Sequence, residues 1–189
     1  WSLVGSEMCI RDSSKADVAN YKDASAYALR ALVEFRYGSK DCEKTKSFVK
    51  KAIDAGGSVD TFSIAGSIYK RCSDLKSAIS FYKNALQLAP NDNGFFITKS
   101  LLAAYYQNND VDSIERTIVP KLNVKDIDPV MLGFYSYVLL TKGKDEDAQK
   151  FFLKAKEKGL TRKRLSLFVN YKKVLDEFIE KLKPLGSLD

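Results

Sequence analysis

Residues able to do chemistry are few in this chain. None of its 189 residues is histidine, so Ser-His-Asp or Cys-His catalysis and histidine metal sites are excluded as self-contained machinery. The three cysteines, Cys9, Cys42 and Cys72, show no Cys-x-x-Cys spacing, and no metal site is indicated. Phosphate-cradling Gly-x-x-x-x-Gly-Lys-Ser/Thr and Gly-x-Gly-x-x-Gly loops are absent, as is the Gly-x-Ser-x-Gly elbow of nucleophilic serines. The run Asp145-Glu146-Asp147 offers carboxylates for acid–base work. At the start of a helix, though, such acids are explained by the macrodipole and by solvation. The sequence predicts no enzyme and no cofactor.

The elements behind these residues read as helices. An apolar content of 45% suits a globular chain, while only 10 glycines and 4 prolines are too few for the many tight turns of a sandwich or barrel. No apolar stretch approaches the roughly 20 residues that cross a bilayer, so a soluble chain without a membrane span is expected. The formal charge of +7 concentrates late, with 13 Lys and Arg against 7 Asp and Glu over residues 142–183. Such an excess favours acidic partners or simply solubility.

A repeat organises the middle of the chain. Residues 59–90 read VDTFSIAGSIYKRCSDLKSAISFYKNALQLAP, in which small Ala65, Gly66 and Ala78 stand opposite bulky Phe62, Tyr69 and Tyr82. Two antiparallel helices approach closely only where one presents small residues to the other's large ones. Pro90 stops the second helix and Asn91-Asp92-Asn93 turns the chain. A second unit runs through Leu101, Leu102, Tyr105 and the turn Asn108-Asn109-Asp110, with Ile114 36 residues after Ala78. A third opens on Asp128-Pro129, an N-cap followed by first-turn proline, and carries Leu132, Tyr135, Ser136, Leu139, Ala148, Phe152 and Ala155.

The positions of Phe62, Ala65, Gly66, Tyr69, Ala78, Tyr82, Ala85 and Pro90 resemble the tetratricopeptide repeat (TPR) pattern. The resemblance implies an all-α chain, an α-α superhelix of about four helix pairs plus a C-terminal capping helix. Units fall at about 25–57, 59–92, 95–125 and 128–160 within a repeat domain of 14–189. The earliest unit is divergent, with Ala28, Leu32 and Phe35 on one stripe, Thr45, Phe48, Val49 and Ala52 on the other, and Gly56-Gly57 at its end. Residues 163–183 hold Leu165, Phe168, Tyr171, Leu175, Phe178, Ile179 and Leu182 at helical spacing and read as the capping helix, apolar toward the stack. Pro120 should end or kink the second helix of its unit. At the mid-repeat turns, Gly143 and Asn108-Asn109 suit left-handed backbone, and Ser73 is expected to cap through its hydroxyl.

In this family the first helices of successive pairs line a concave face. The resemblance places Ser63, Ser67, Lys70 and Arg71 there from one unit, Phe96, Lys99, Tyr106 and Gln107 from the next, and Tyr137 from the third. This mixed aromatic and basic set suits an extended peptide of acidic character. The alternative for each residue singly is packing between units, or a solvated rim of cations. A carboxylate clamp for chaperone tails is disfavoured, because Ser63, Ser67 and Ala103 stand where its Lys and Asn would be required. The expected function is therefore a non-catalytic scaffold of bacterial type that binds a protein or peptide.

Two other readings stand beside it. Arg162, Lys163, Arg164, Lys172 and Lys173 could bind nucleic acid, but acids alternate with the cations and no recognition motif accompanies them. The chain could instead be an accessory repeat domain of a larger protein. Residues 1–13 resemble an adaptor-derived peptide of environmental sequencing, which would make the natural start missing and leave a cytoplasmic or periplasmic location open. Cys42 and Cys72 both fall near turns of consecutive units. They read most simply as unrelated small residues, whereas a bond between them would point to an oxidising compartment.

Overall fold

The computed structural model describes residues 24–39, 41–89, 92, 95–169 and 172–188. The expectations for residues 1–13, Pro90, Asn91, Asn93 and Tyr171 lie outside them. Among the described residues there are ten α-helices, two short 3-10 helices and no strand. They divide into two compact units that meet in sequence at Pro90 and Asn91.

The first unit is two helix pairs. Helix α1 (Ala24–Tyr37) packs on α2 (Cys42–Asp54), α3 (Val59–Arg71) packs on α4 (Leu75–Leu88), and α3 also lies against both α1 and α2. Small side chains make the close approach possible: Ala31, Ala52, Ala65, Ala78 and Ala85 are fully buried. Gly66 is required by its neighbour, since a Cβ there would sit 2.7 Å from the ring of the buried Tyr82. Phe81 stacks on Phe62 at 6.3 Å and meets Tyr69 edge-on at 4.9 Å.

Helices α2, α3 and α4 each start on a side-chain acceptor. Asp41 accepts from the amides of Glu43 and Lys44, Ser58 from Thr61, and Asp74 from Ser77. Ser73 does not cap, contrary to expectation: it takes the left-handed turn position (φ 61°), and the cap passes to Asp74. Gly143 (φ 69°) and Asn109 (φ 55°) hold the corresponding left-handed sites.

Cys42 and Cys72 are joined in a disulfide, with 5.9 Å between their Cα atoms. It ties the first residue of α2 to the C-cap of α3. In the same unit, the buried Glu34 accepts from Lys44 Nζ at 2.9 Å and from Ser39 Oγ at 2.9 Å. The Lys44 bond outweighs burial and holds its carboxyl below the usual range.

In the second unit α5 (Phe96–Gln107) packs on α6 (Val111–Ile118), α7 (Pro129–Thr141) packs on α8 (Asp145–Glu157), and α7 also contacts α5 and α6. Pro120 ends α6 as its missing amide requires; the chain tightens into a 3-10 turn over Val119–Lys121. Asp128 caps α7 by accepting from the Val130 amide at 2.8 Å, with Pro129 in the first turn. Lys142 bridges Asp112 and Glu115, joining the end of α7 to α6.

The segment expected as one helix over 163–183 is two. Helix α9 (Arg162–Ser166) stops early, α10 (Lys172–Leu182) follows, and a 3-10 turn covers Lys183–Leu185. Between the helices Phe168 and Val169 turn inward and are buried. The break lets two rings reach different neighbours: Phe168 meets Phe96, and Phe178 meets Tyr106. Tertiary packing overrides a continuous local periodicity here.

Candidate functional site

The expected binding residues lie on α3 in the first unit and on α5 and α7 in the second. On α3, Ser63 and Ser67 are one turn apart and half-buried. Lys70 is 2% exposed, with its ammonium 5.9 Å from the centre of the Tyr82 ring. Burial first, and the neighbouring Arg71 charge second, pull its pKa from 10.5 down to about 7. Arg71 is half-buried, with its guanidinium 5.8 Å from the Phe35 ring. Neither cation stands in open solvent.

The α5–α7 face gathers the other residues, and most of them are covered. Tyr106 and Tyr137 meet edge-on at 5.1 Å, and both are buried. Phe178 of α10 packs against Tyr106 at 4.7 Å, Phe134 at 4.8 Å and Tyr137 at 5.7 Å. Lys181, one turn on, places its ammonium 5.2 Å from the Tyr106 ring and 5.4 Å from that of Tyr137. Burial, with Tyr137 and Glu177 nearby, pushes the Tyr106 hydroxyl well above its ordinary pKa. At neutral pH it stays protonated, a donor and not an anion.

Lys99 is also engaged. Its Nζ donates to Asp128 Oδ2 at 2.6 Å and lies 4.8 Å from the Phe168 ring. Asp128 thus serves twice, as the cap of α7 and as the counter-charge of Lys99. Phe96 is more than half exposed, yet it meets Phe168 edge-on at 5.5 Å. Gln107, half-buried, keeps a buried Nε2 without a hydrogen-bond partner.

The residues that the sequence reading missed are Phe134, Asp128 as the Lys99 partner, and the seat of Phe168 and Phe178. The apolar stripe through Phe168 and Phe178 was visible at helical spacing. What it covers was not, because nothing local to it names Tyr106 or Phe96.

The cations considered for nucleic acid are partly committed as well. Arg162 pairs with Asp176, and Arg164 donates to the Lys158 carbonyl at 3.2 Å. Lys172, Lys173 and Lys181 share an open concavity with Asp176, Glu177 and Glu180, so the charges alternate. Among the described residues no cluster of His, Cys, Asp or Glu could hold a metal ion. None of the described helices is long and apolar enough to cross a membrane.

Known structures share this helix arrangement. A tetratricopeptide repeat protein from Parabacteroides merdae ATCC 43184 matches 95% of this chain at 14% identity with a TM-score of 0.57. The present chain spans 65% of that protein's length. YrrB, a TPR protein with an unusual peptide-binding site, matches 92% of this chain and 91% of its own at 17% identity and TM-score 0.59. The C-terminal part of a TPR repeat-containing protein from Cytophaga hutchinsonii matches 95% of this chain and 73% of its own, at 14% identity and TM-score 0.63. The fold is tetratricopeptide-like. No protein-family model matches the sequence, and no curated protein does. At these identities the likeness is one of fold.

Proposed function

We propose that this tetratricopeptide-like chain is a non-catalytic interaction scaffold, binding a peptide or partner domain on the faces of its first helices, α3 in one unit and α5 with α7 in the other. The carrying observation is the α5–α7 face: four of the expected residues, Phe96, Lys99, Tyr106 and Tyr137, meet aromatic or cationic side chains of one incoming segment, residues 168–181. A face that seats such a segment has the aromatic area and shape for peptide recognition. The peptide-binding site of YrrB, a protein of the same fold, supports the reading. An acidic preference has less support, because Lys70 is buried and Lys99 is already paired with Asp128.

Replacing Lys99 or Tyr106 would disturb packing, so the test uses residues that reach solvent. Peptides selected from a displayed library against the full chain are measured with Phe96→Ala and Ser67→Arg variants. At least one variant should weaken binding by roughly tenfold with helix content unchanged. Selected peptides that bind both variants as tightly as the parent would overturn the assignment.

The Cys42–Cys72 bond supports folding in an oxidising compartment, the periplasmic side of the two locations considered. The accessory-domain reading is compatible with all of this, since binding is the role in either case.

A further inference from the structure

The C-terminal helix occupies the face where a partner is expected, and its manner of binding describes what else would fit. Helix α10 has 11 residues, a length that is marginal as an isolated helix in water, so its helicity depends on the face it covers. Leu175, Phe178 and Leu182 are its buried residues, one turn apart along a single stripe. Phe178 is fully buried against Tyr106, Phe134 and Tyr137, and Lys181 rests over two of those rings. Among the described residues, an exposed Arg162–Asp176 pair ties α10 to α9, a kind of contact that contributes little. Within α10 the seat is one aromatic anchor and its flanking leucines, followed by buried Leu185 in the next turn, which is how a groove reads an amphipathic helix.

From this we infer that α10 is an internal occupant of a helix-binding groove on α5 and α7, and that the external partner is an amphipathic helix of pattern Leu-x-x-Phe-x-x-Lys-Leu that competes with α10 for it. The inference rests on the scaffold reading and narrows the partner from any peptide to a helix that orders on binding. It also makes binding conditional: apparent affinity is reduced by the fraction of chains in which α10 has left its seat.

The test uses a fluorescent synthetic peptide of residues 172–185, titrated into the full chain by anisotropy. The parent chain should bind it weakly. A full chain carrying Phe178→Asp, whose own helix no longer fits, should bind the parent peptide at least roughly tenfold more tightly, and a peptide carrying the same change should bind neither chain. Because Phe178→Asp could unfold the unit, a second chain carries Arg162→Glu with Lys181→Ala, both exposed positions. It loosens α10 while leaving every buried residue in place, and should bind the peptide several-fold more tightly than the parent at unchanged circular dichroism. If the folded variants bind the 172–185 peptide no better than the parent, the inference is overturned. Should a library-selected peptide still bind those variants, the scaffold reading stands alone; loss of both kinds of peptide removes both.

Discussion

Lys70 shows how a residue chosen for its charge becomes a structural problem when the fold closes over it. It lies over Tyr82, where burial lowers its pKa to about 7, against 10.5 ordinarily. Between those values the unfolded chain holds a proton that the folded chain releases, so stability should rise with pH; below about 7 the full cost of a buried ammonium remains. Tyr69, Tyr106 and Tyr135 have raised pKa values and act in the opposite direction once the ordinary tyrosine range is reached. The useful window is therefore from pH 7 to about 9.5. There the parent should gain up to about 1.4 kcal/mol per pH unit relative to Lys70→Met, read from urea melts of both proteins. Parallel stability curves for the two would show that Lys70 stays charged in the fold.

Among the elements, α7 is held by a residue with two roles. Asp128 caps its first turn and neutralises Lys99, a lysine only 8% exposed. Removing both roles with Asp128→Ala should cost about 2–4 kcal/mol, combining a lost cap of about 1 with an uncompensated buried charge. Asp128→Asn keeps a cap acceptor and should lose roughly half as much. Thermal denaturation of the two variants separates the roles; equal losses would mean that the cap is unimportant. The other helix ends needed less inference. Pro120 stops α6 by lacking a backbone amide, local chemistry that is legible in order along the chain, whereas the cap of α4 falls to Asp74 and not to the expected Ser73.

At the scale of the whole chain, the disulfide is a covalent constraint on the first unit. It closes a loop of 30 residues in the first unit, a span for which unfolded-state entropy suggests about 3–4 kcal/mol of stabilisation. A peptide map without reductant should recover the Cys42 and Cys72 peptides joined, and reduction should add two hydrogens and lower the melting temperature. Separate peptides from an oxidised sample would remove both the bond and the argument for an oxidising compartment.

Alternation of small and large residues over 59–90, the caps at Asp128 and Gly143's left-handed turn all act within one helix pair. By itself the sequence therefore determined an all-α chain of paired helices, and its lack of histidine removed histidine-based chemistry from these 189 residues. Tertiary structure decided which side chains remain available for binding. The family resemblance places Tyr106 and Tyr137 on the expected binding face, yet Phe178, far along the chain, covers them. Lys99 finds Asp128 29 residues away, and Cys42 finds Cys72 across consecutive helix pairs. The break after Ser166 has the same origin. Helical periodicity says which side of a segment is apolar, but only the packed chain says which distant segment fills it.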